Sequence, residues 1–250
     1  MAAPLPHLDR DTFAAALRDL PAPMDAARRL PDAALTGLHA HYEALRRWNR
    51  QLSLVGPGTA DDVIARHYGE ALAGLDWLNA MVPRASDARA PATLVDLGSG
   101  GGFPGLVLAL ARPDLRVFLV EARQRKWSFL SAAARAAQRA GADCAITCIN
   151  ARVDADRAKS AAEMGLPPSP DVIVCRAVRI DARLLGPFEP RPAHPRLLLW
   201  AGADPPPAPP PYRPVRHRAL PGADARVLWW LAPEAVRLPS SASSGAPADD

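Results

Sequence analysis

The feature that most restricts the fold of this chain is a glycine-rich segment that directly follows an apolar run. Residues 92–97, ATLVDL, have the continuous apolar pattern of a buried strand, and five glycines follow within residues 98–105. Residues 103–112 have the pattern of a helix, with Pro104 in a first turn where a missing N–H is tolerated. A glycine loop between a strand and a helix exposes backbone N–H groups beside the positive end of the helix dipole, and glycine leaves room there for a ligand. The segment therefore predicts a ligand-binding loop at the edge of a sheet.

Strand and helix patterns alternate along the rest of the chain. Residues 123–140 have a strong helical pattern that ends at Gly141, and four further strands are predicted at 115–121, 143–150, 171–177 and 196–200. This order predicts an α/β fold in which helices cover both faces of a parallel sheet. Residues 212–220 and 225–232 could pair as an antiparallel hairpin that closes the sheet.

The segments that flank this alternation have different patterns. From Asp32 apolar residues recur at helical spacing, and Thr59 followed by Asp62 has the pattern of a capping box that opens a second helix. We therefore predict a flexible N-terminal arm, helices packed on the sheet, a sheet domain with a proline-rich insert, and a disordered tail. Their ranges are 1–30 for the arm, 31–85 for the helices, 86–238 for the sheet domain, 203–214 for the insert and 239–250 for the tail.

Composition narrows the class of protein without identifying a function. The net charge of +4 is compatible with a polyanionic partner but does not by itself argue for one. Three cysteines give no disulfide framework, and Cys144 and Cys148 have no second Cys/His pair at metal-site spacing, so no metal is expected. No run of about 18 uncharged apolar residues occurs and charges interrupt the first 30 residues, so we expect a cytoplasmic protein without a membrane span or signal peptide.

Two classes of ligand fit the glycine loop. Gly100, Gly102 and Gly105 satisfy the G-x-G-x-x-G fingerprint of dinucleotide-binding proteins, and Glu121 follows about 20 residues later. Asp96 at the strand end would repel a pyrophosphate, whereas it suits a ligand that carries an amino group and a sulfonium. A strand-end acid followed by alternate glycines is typical of methyltransferases that use S-adenosylmethionine, and Glu121 is then placed to accept hydrogen bonds from both ribose hydroxyls. The pattern favours a methyl donor over a nicotinamide cofactor.

Five blocks of sequence point to a known family. VDLGSGGGFPGLVLAL, residues 95–110, resembles the ribosomal RNA small subunit methyltransferase G family, also called glucose-inhibited division protein B, whose glycine loop runs into an aromatic residue or leucine followed by Pro-Gly. The resemblance covers roughly residues 35–200. The other blocks, in the family's order, are RRWNRQLSLVGPGTADDVIARHYGEAL (46–72), VEARQRKWSFL (120–130), NARVDAD (150–156) and DVIVCRAV (171–178).

The resemblance implies a class I S-adenosylmethionine-dependent methyltransferase, with a Rossmann-like sheet and a small N-terminal helical region. It implies methylation of N7 of one guanine in bacterial 16S rRNA, with 16S rRNA or the small ribosomal subunit as the partner, and we expect a monomer. Asp154 stands where the family usually has Glu, which keeps the charge and shortens its reach. The residues that match the family's cofactor contacts are Gly98, Phe103, Val153, Asp154 and Arg176.

Arg176 is the candidate for contact with the reacting guanine, because a guanidinium can hold a base edge or a phosphate. The alternative is an arginine that forms a salt bridge at a strand end. Guanine N7 carries an available lone pair, so its methylation needs no prior loss of a proton and positioning is most of the catalysis. The chain accordingly lacks the Asn/Asp-Pro-Pro-aromatic box used to methylate exocyclic amines. Cys175 adjoins Arg176, but a buried thiol in an apolar strand is commoner than a nucleophile there.

Basic residues cluster in the sequence around the predicted edge of the pocket, where they would attract phosphate. A solvated helix face explains several of them equally well. His67 matches a family position, and it is either functional or packs the N-terminal helices onto the sheet. The basic candidates are Arg123, Arg125, Lys126, Arg135, Arg139, Arg152, Arg176, Arg179 and Arg183.

Several departures from the family lie on the predicted substrate side. Ala201 precedes Gly202 where the family commonly has Lys, and Glu70 and Ala71 stand where an Asp-Ser pair is common. The proline-rich insert has no recognised counterpart, and the final segment of the hairpin offers Arg226 as its basic residue. A non-catalytic or retargeted RNA- or ribosome-binding relative that keeps the cofactor pocket therefore remains an alternative.

Overall fold

The fold is built on one seven-stranded sheet. The computed structural model describes residues 4–59, 62–84, 91–153, 159–176, 180–188, 194–222 and 225–233. The strands are β1 (Thr93–Leu97), β2 (Arg116–Val120), β3 (Ala145–Ile149), β4 (Val172–Arg176), β5 (Arg196–Ala201), β6 (Tyr212–Ala219) and β7 (Val227–Pro233). Their order is β3-β2-β1-β4-β5-β7-β6, in which β1 to β5 are parallel and β7 is antiparallel to both of its neighbours. The predicted α/β fold and its closing hairpin are confirmed.

The helices lie mainly before and between the first three strands. Within the described residues, short 3-10 helices lie at Asp25–Arg29, Pro57–Thr59 and Ala162–Met164, and a π-helix lies at Ile64–Gly69. The α-helices are α1 (Arg10–Arg18), α2 (Asp32–Leu52), α3 (Glu70–Leu72), α4 (Leu75–Met81), α5 (Gly105–Ala111), α6 (Gln124–Arg139) and α7 (Ala182–Leu185).

Alternate strand residues face two separate cores. Leu94 and Val117 belong to the core beneath α2, α5 and α6, whereas Val95 and Phe118 belong to the core on the other face. The second face is covered by shorter elements, among them the 3-10 helix at Ala162–Met164 and α7. Helices therefore lie on both faces of the sheet, as predicted, but the long helices lie on one face only.

Residues 4–30 pack on the helical layer, so the prediction of a flexible N-terminal arm is wrong for the part that the structure describes. Asp9 caps α1 by accepting a hydrogen bond from the Thr12 N–H at 2.8 Å. Phe13 and Leu17, four residues apart, are fully buried on one face of α1. Alanines surround these two residues in the sequence, so the apolar stripe is short and the helical pattern is weak. The disordered tail predicted at 239–250 lies outside the described residues.

The helix predicted from the Thr59–Asp62 capping box also differs from the structure. The chain forms the π-helix and then two short α-helices, α3 and α4. The Thr59 hydroxyl donates to the backbone O of Gly56 at 3.2 Å and lies 2.9 Å from Nε2 of His67. Thr59 therefore orients the side chain of His67 instead of capping a helix. A π-helix often marks a functional segment.

Candidate functional site

A cavity lies where the strand order reverses. The chain passes from β1 outward to β2 and β3, then returns to place β4 on the other side of β1, and ligands of open α/β sheets bind at such a switch point. The cavity has a volume of about 480 Å³ and is formed at the carboxyl ends of β1 to β4. Its lining includes Gly98, Gly100, Phe103, Glu121, Lys126, Arg152, Val153 and Arg176.

The glycine loop forms one wall in a conformation that requires glycine. Gly98, Gly100 and Gly102 have φ values of 81°, 53° and 89°, a region that L side chains rarely adopt. The N–H groups of Gly98 and Ser99 both donate to the backbone O of Val120, at 2.9 and 3.0 Å. The predicted loop is therefore tied to the end of β2, and its Gly98 side is open to the cavity.

Glu121 follows β2 and faces the glycine loop. Its carboxylate accepts hydrogen bonds from the N–H of Gly100 at 3.1 Å and of Arg123 at 2.7 Å, one on each oxygen. These bonds orient the carboxylate, and each oxygen keeps a further lone pair for a ligand hydroxyl. Ribose recognition by Glu121 stays a prediction, with an oriented acceptor to support it.

Asp96, by contrast, is not on the cavity wall. Strand alternation points its side chain to the helical face, where it is fully buried and accepts a hydrogen bond from the Gly105 N–H at 3.0 Å. A Cβ at Gly105 would lie 2.5 Å from the Asp96 side chain, so glycine is required for this close approach. Asp96 therefore holds the start of α5. The expectation that its carboxylate contacts the ligand directly is wrong, because the side chain does not line the cavity.

Arg176 ends β4 and is held at the cavity wall by Glu70. Its Nη2 donates to the backbone O of Arg66 at 2.8 Å and lies 3.0 Å from Oε2 of Glu70. Glu70 is fully buried and lies 3.5 Å from Nε of Arg66 and 3.7 Å from Nε of Arg226. Burial lowers the pKa of Arg176 to about 10, against the opposing effect of Glu70. The salt bridge that was the alternative role for Arg176 is therefore present. The buried Nη1 of Arg176 has no hydrogen-bond partner among the described residues.

An aromatic cluster surrounds Phe103, the residue that follows the glycines. The ring of Phe103 lies 5.3 Å from that of His41, 5.0 Å from that of His67 and 5.1 Å from that of Tyr68. Burial, with Arg176 and two other arginines, lowers the pKa of His67 to about 3. His67 is thus neutral at physiological pH, and it both lines the cavity and packs the helical segment against the loop.

Sequence reasoning missed His41. This side chain is fully buried on α2, and its Nε2 lies 2.9 Å from the backbone O of Gly101. Its Nδ1 lies 3.0 Å from the hydroxyl of Tyr68. The available signal was a polar residue on the apolar stripe of a helix, between Leu38 and Tyr42.

The structure brings together most of the residues singled out from the sequence. Gly98, Phe103, Glu121, Val153 and Arg176 line the same cavity. Asp154 and Arg179 lie outside the described residues. Of the basic candidates, three further side chains reach the cavity, whereas Arg135 and Arg139 lie farther along α6. The three are Arg123, Lys126 and Arg152.

Two negative findings apply to the described part of the chain. It contains no group of three or more His, Cys, Asp or Glu side chains that could hold a metal ion. No helix within it combines the length and the apolar character that crossing a membrane requires.

The buried titratable groups predict how stability depends on pH. His41 and His67, with pKa values of about 4 and 3, are neutral in the folded state between pH 4.5 and 6 but protonated when unfolded. Burial raises the pKa of Asp96 to about 7, so in this window it holds a proton that it loses on unfolding. Two protons bound and one released leave a net uptake of one, so the free energy of unfolding should fall by about 1.4 kcal/mol per unit as pH drops.

Urea unfolding at pH 4.5, 5, 5.5 and 6 measures this slope. The Asp96→Asn variant removes the opposing proton, so its slope should be about twice as steep, whatever its absolute stability. A slope that is unchanged in this variant would contradict the assignment of a proton to Asp96.

Comparison with known proteins agrees with this geometry. The family described as rRNA small subunit methyltransferase G matches residues 34–185. The ribosomal RNA small subunit methyltransferase G of Methylobacterium sp. (strain 4-46) is 43% identical over 122 residues, which cover 45% of this chain and 53% of the relative. That of Paramagnetospirillum magneticum is 35% identical over 153 residues, which cover 61% and 62%. The chain spans about half the length of the curated relatives it matches.

A solved structure shares the fold. Magnesium protoporphyrin IX methyltransferase from Synechocystis PCC 6803, determined with bound SAH, has a TM-score of 0.50 at 12% identity, and the match covers 82% of this chain and 100% of that one. At this identity the likeness shows the fold alone, that of class I methyltransferases. The family match is more specific, since it spans more than half of the chain and includes every residue that lines the cavity. The chain therefore belongs to the rRNA small subunit methyltransferase G family.

Proposed function

We propose that the chain is an S-adenosylmethionine-dependent methyltransferase that methylates N7 of a guanine in 16S rRNA. The observation that carries this proposal is the cavity at the switch point, where the glycine loop and the oriented carboxylate of Glu121 face each other. Family membership over residues 34–185 supports the reaction class. The curated relatives are named as ribosomal RNA small subunit methyltransferases.

The cavity fits the proposed cofactor. Its volume of about 480 Å³ is in the range of small-molecule sites, and Gly98 leaves its wall free of a side chain. Glu121 would accept from the ribose hydroxyls, while Val153 and Phe103 offer apolar surface to the adenosyl group. When bound, S-adenosylmethionine supplies a methyl group on a positively charged sulfur.

The residues of the chain need only to position the reactants. Guanine N7 attacks with its own lone pair, so no side chain has to remove a proton. Arg176 stays protonated at neutral pH, and it lines the cavity. Glu70 and the backbone O of Arg66 fix this guanidinium, and we propose that it contacts the guanine.

The mouth of the cavity is positively charged, which suits an RNA backbone. Arg123, Lys126 and Arg152 line it, and no carboxylate in the described residues lies within 4 Å of their charged groups. Arg123 and Lys126 also lie at the start of α6, whose first turn has no acidic residue and whose dipole adds positive potential. We call these three residues the rim cations.

Replacing the rim cations with glutamine should weaken RNA binding and its dependence on salt. Each lost phosphate contact to a single strand removes about 0.7 from the slope of log K against log salt concentration, so the triple variant should lose about 2. Filter binding of 16S rRNA fragments between 50 and 300 mM KCl measures both quantities. Cofactor affinity should change much less, since Glu121 and the glycine loop are intact.

A matched control removes the same charge elsewhere. Arg116, Arg135 and Arg139 are exposed and do not line the cavity, and their triple glutamine variant should keep the salt slope. Equal losses in the two triple variants would show that RNA attraction depends on net charge and not on the rim.

A second candidate function is a non-catalytic or retargeted RNA- or ribosome-binding relative. The observation that favours it is that the family match ends at residue 185, before β5 and the hairpin that supplies Arg226 to the Glu70 cluster. This candidate predicts cofactor binding without methylation of 16S rRNA.

The deciding experiment measures transfer of radiolabelled methyl from S-adenosylmethionine to 16S rRNA from a strain that lacks the modification, with cofactor binding measured in parallel. Label recovered as 7-methylguanine is the expected result. Cofactor binding without label would favour the second candidate, and failure to bind the cofactor would contradict both.

We also propose that the chain acts as a monomer in the cytoplasm. The elements that the proposed reaction needs, namely the glycine loop, Glu121 and Arg176, all line one cavity formed by the described residues. Sedimentation equilibrium of the active protein tests the monomer, and a dimer at assay concentrations would contradict it.

A further inference from the structure

A buried hydrogen-bonded chain links the helical layer to the glycine loop. The hydroxyl of Tyr68, in the π-helix, lies 3.0 Å from Nδ1 of His41, and Nε2 of His41 lies 2.9 Å from the backbone O of Gly101. His41 and Tyr68 are both fully buried, and neither lines the cavity. The pair therefore contacts the loop from behind.

The partners decide the direction of both bonds. The carbonyl of Gly101 can only accept, so Nε2 of His41 carries the hydrogen and donates it. Nδ1 is then the acceptor, and the Tyr68 hydroxyl donates to it. Burial lowers the pKa of His41 to about 4, so this neutral tautomer persists through the physiological pH range.

The glycine loop needs such a restraint. Gly100 and Gly102, on either side of Gly101, have positive φ values, and consecutive glycines have more backbone freedom than any other residues. The N–H groups of Gly98, Ser99 and Gly100 are held by hydrogen bonds to the end of β2. The acceptors are the backbone O of Val120 and the carboxylate of Glu121. In the described residues, His41 provides the hydrogen bond from α2 to the middle of the loop. A Cβ at Gly102 would lie 3.0 Å from Nε2 of His41, which shows how closely the ring approaches the loop.

We infer that Tyr68 and His41 form a positioning relay that holds the glycine loop in its binding conformation, so that cofactor affinity depends on a tyrosine hydroxyl outside the cavity. This inference rests on the proposed function, because it takes S-adenosylmethionine as the ligand of the loop. Both residues are positioning residues, since they act through the backbone of Gly101.

The test compares two variants that each remove one buried hydroxyl. Tyr68→Phe breaks the relay, whereas Tyr42→Phe removes a hydroxyl that donates to the backbone O of Pro6 at 2.5 Å, in the same aromatic cluster. Tyr68→Phe should raise the Kd for S-adenosylmethionine by about threefold to tenfold, the usual effect of one neutral hydrogen bond. Tyr42→Phe should leave this Kd unchanged. Isothermal titration calorimetry measures the Kd, and urea unfolding compares the stability of the two variants.

Two further measurements separate positioning from general stability. Amide hydrogen exchange in peptides that span residues 98–106, without cofactor, should be faster in Tyr68→Phe than in Tyr42→Phe. His41→Phe should weaken cofactor binding by about tenfold or more, because it leaves the Gly101 carbonyl without its donor, and His41→Gln should recover part of the loss.

The outcomes are distinguishable. Equal Kd values and equal loop exchange in Tyr68→Phe and Tyr42→Phe would overturn the relay while the proposed function stands. Failure of the unaltered chain to bind S-adenosylmethionine would overturn the proposed function. Independently of that result, the relay would be overturned if amide hydrogen exchange of the glycine loop in Tyr68→Phe equalled that of the unaltered chain.

Discussion

Replacing Gly98 with Asp should raise the Kd for S-adenosylmethionine by about a hundredfold or more, equivalent to about 3 kcal/mol. Gly98 has a φ of 81° and lines the cavity opposite Glu121, so an added carboxylate would occupy ligand space and repel Glu121. The left-handed backbone adds a strain of about 1–2 kcal/mol for any L side chain. Isothermal titration calorimetry and urea unfolding together separate the loss of binding from the loss of stability.

Gly141→Asp is the matched control for this variant. Gly141 has a φ of 96° and lies just after α6, and a Cβ at this position would have no heavy atom of the described residues within 4 Å. The substitution therefore adds the same strain and charge far from the cavity. It should lose similar stability and keep cofactor affinity. Retained affinity in Gly98→Asp would show that the ligand does not approach the glycine loop.

Replacing Arg176 with Ala should lower the rate of methyl transfer by about a hundredfold or more, equivalent to about 3 kcal/mol of transition-state stabilisation. The expected reason is loss of the donor that holds the guanine beside the methyl group. The Kd for S-adenosylmethionine should change far less than the rate. Removing one partner of a buried ion pair is usually destabilising, but Glu70 keeps Arg66 and Arg226 as neighbours, which limits the cost.

Arg226→Ala is the control for Arg176→Ala. Arg226 also lies beside Glu70, at 3.7 Å, but it does not line the cavity. It should alter stability without a comparable loss of methyl transfer. Single-turnover transfer rates and cofactor Kd values of both variants test this role of Arg176. Equal losses of rate and affinity in Arg176→Ala would make Arg176 a cofactor ligand instead.

Glu70 shows how a departure from the family gains meaning in the structure. In the sequence it is an acid with a longer reach where Asp is common, next to a missing Ser. In the structure it is the fully buried carboxylate beside three arginines that come from the π-helix, β4 and the turn before β7. The departure therefore lies in direct contact with Arg176, which is the reason to measure transfer as well as binding.

The local patterns of the chain determined the order of the strands and helices and the place of the ligand loop. Strand periodicity, the glycine cluster and the acid that follows β2 are short-range properties, since each depends on neighbouring residues and backbone preference. They predicted that Gly98 and Glu121 would face one site, because parallel strands end at the same edge of a sheet. The direction of Asp96 was also available from strand alternation, and the interpretation as a ligand contact overlooked it.

Tertiary packing decided what lies behind and beside that site. His41 reaches the Gly101 carbonyl across 60 positions of sequence, and Arg176 reaches the backbone of Arg66 across 110. No local preference encodes such contacts, because they follow from how α2 and the π-helix settle on the sheet. The same packing ordered residues 4–30, whose apolar side chains find partners only once the helical layer exists. The sequence by itself determined the class of site, and the tertiary structure decided which buried side chains hold it in shape.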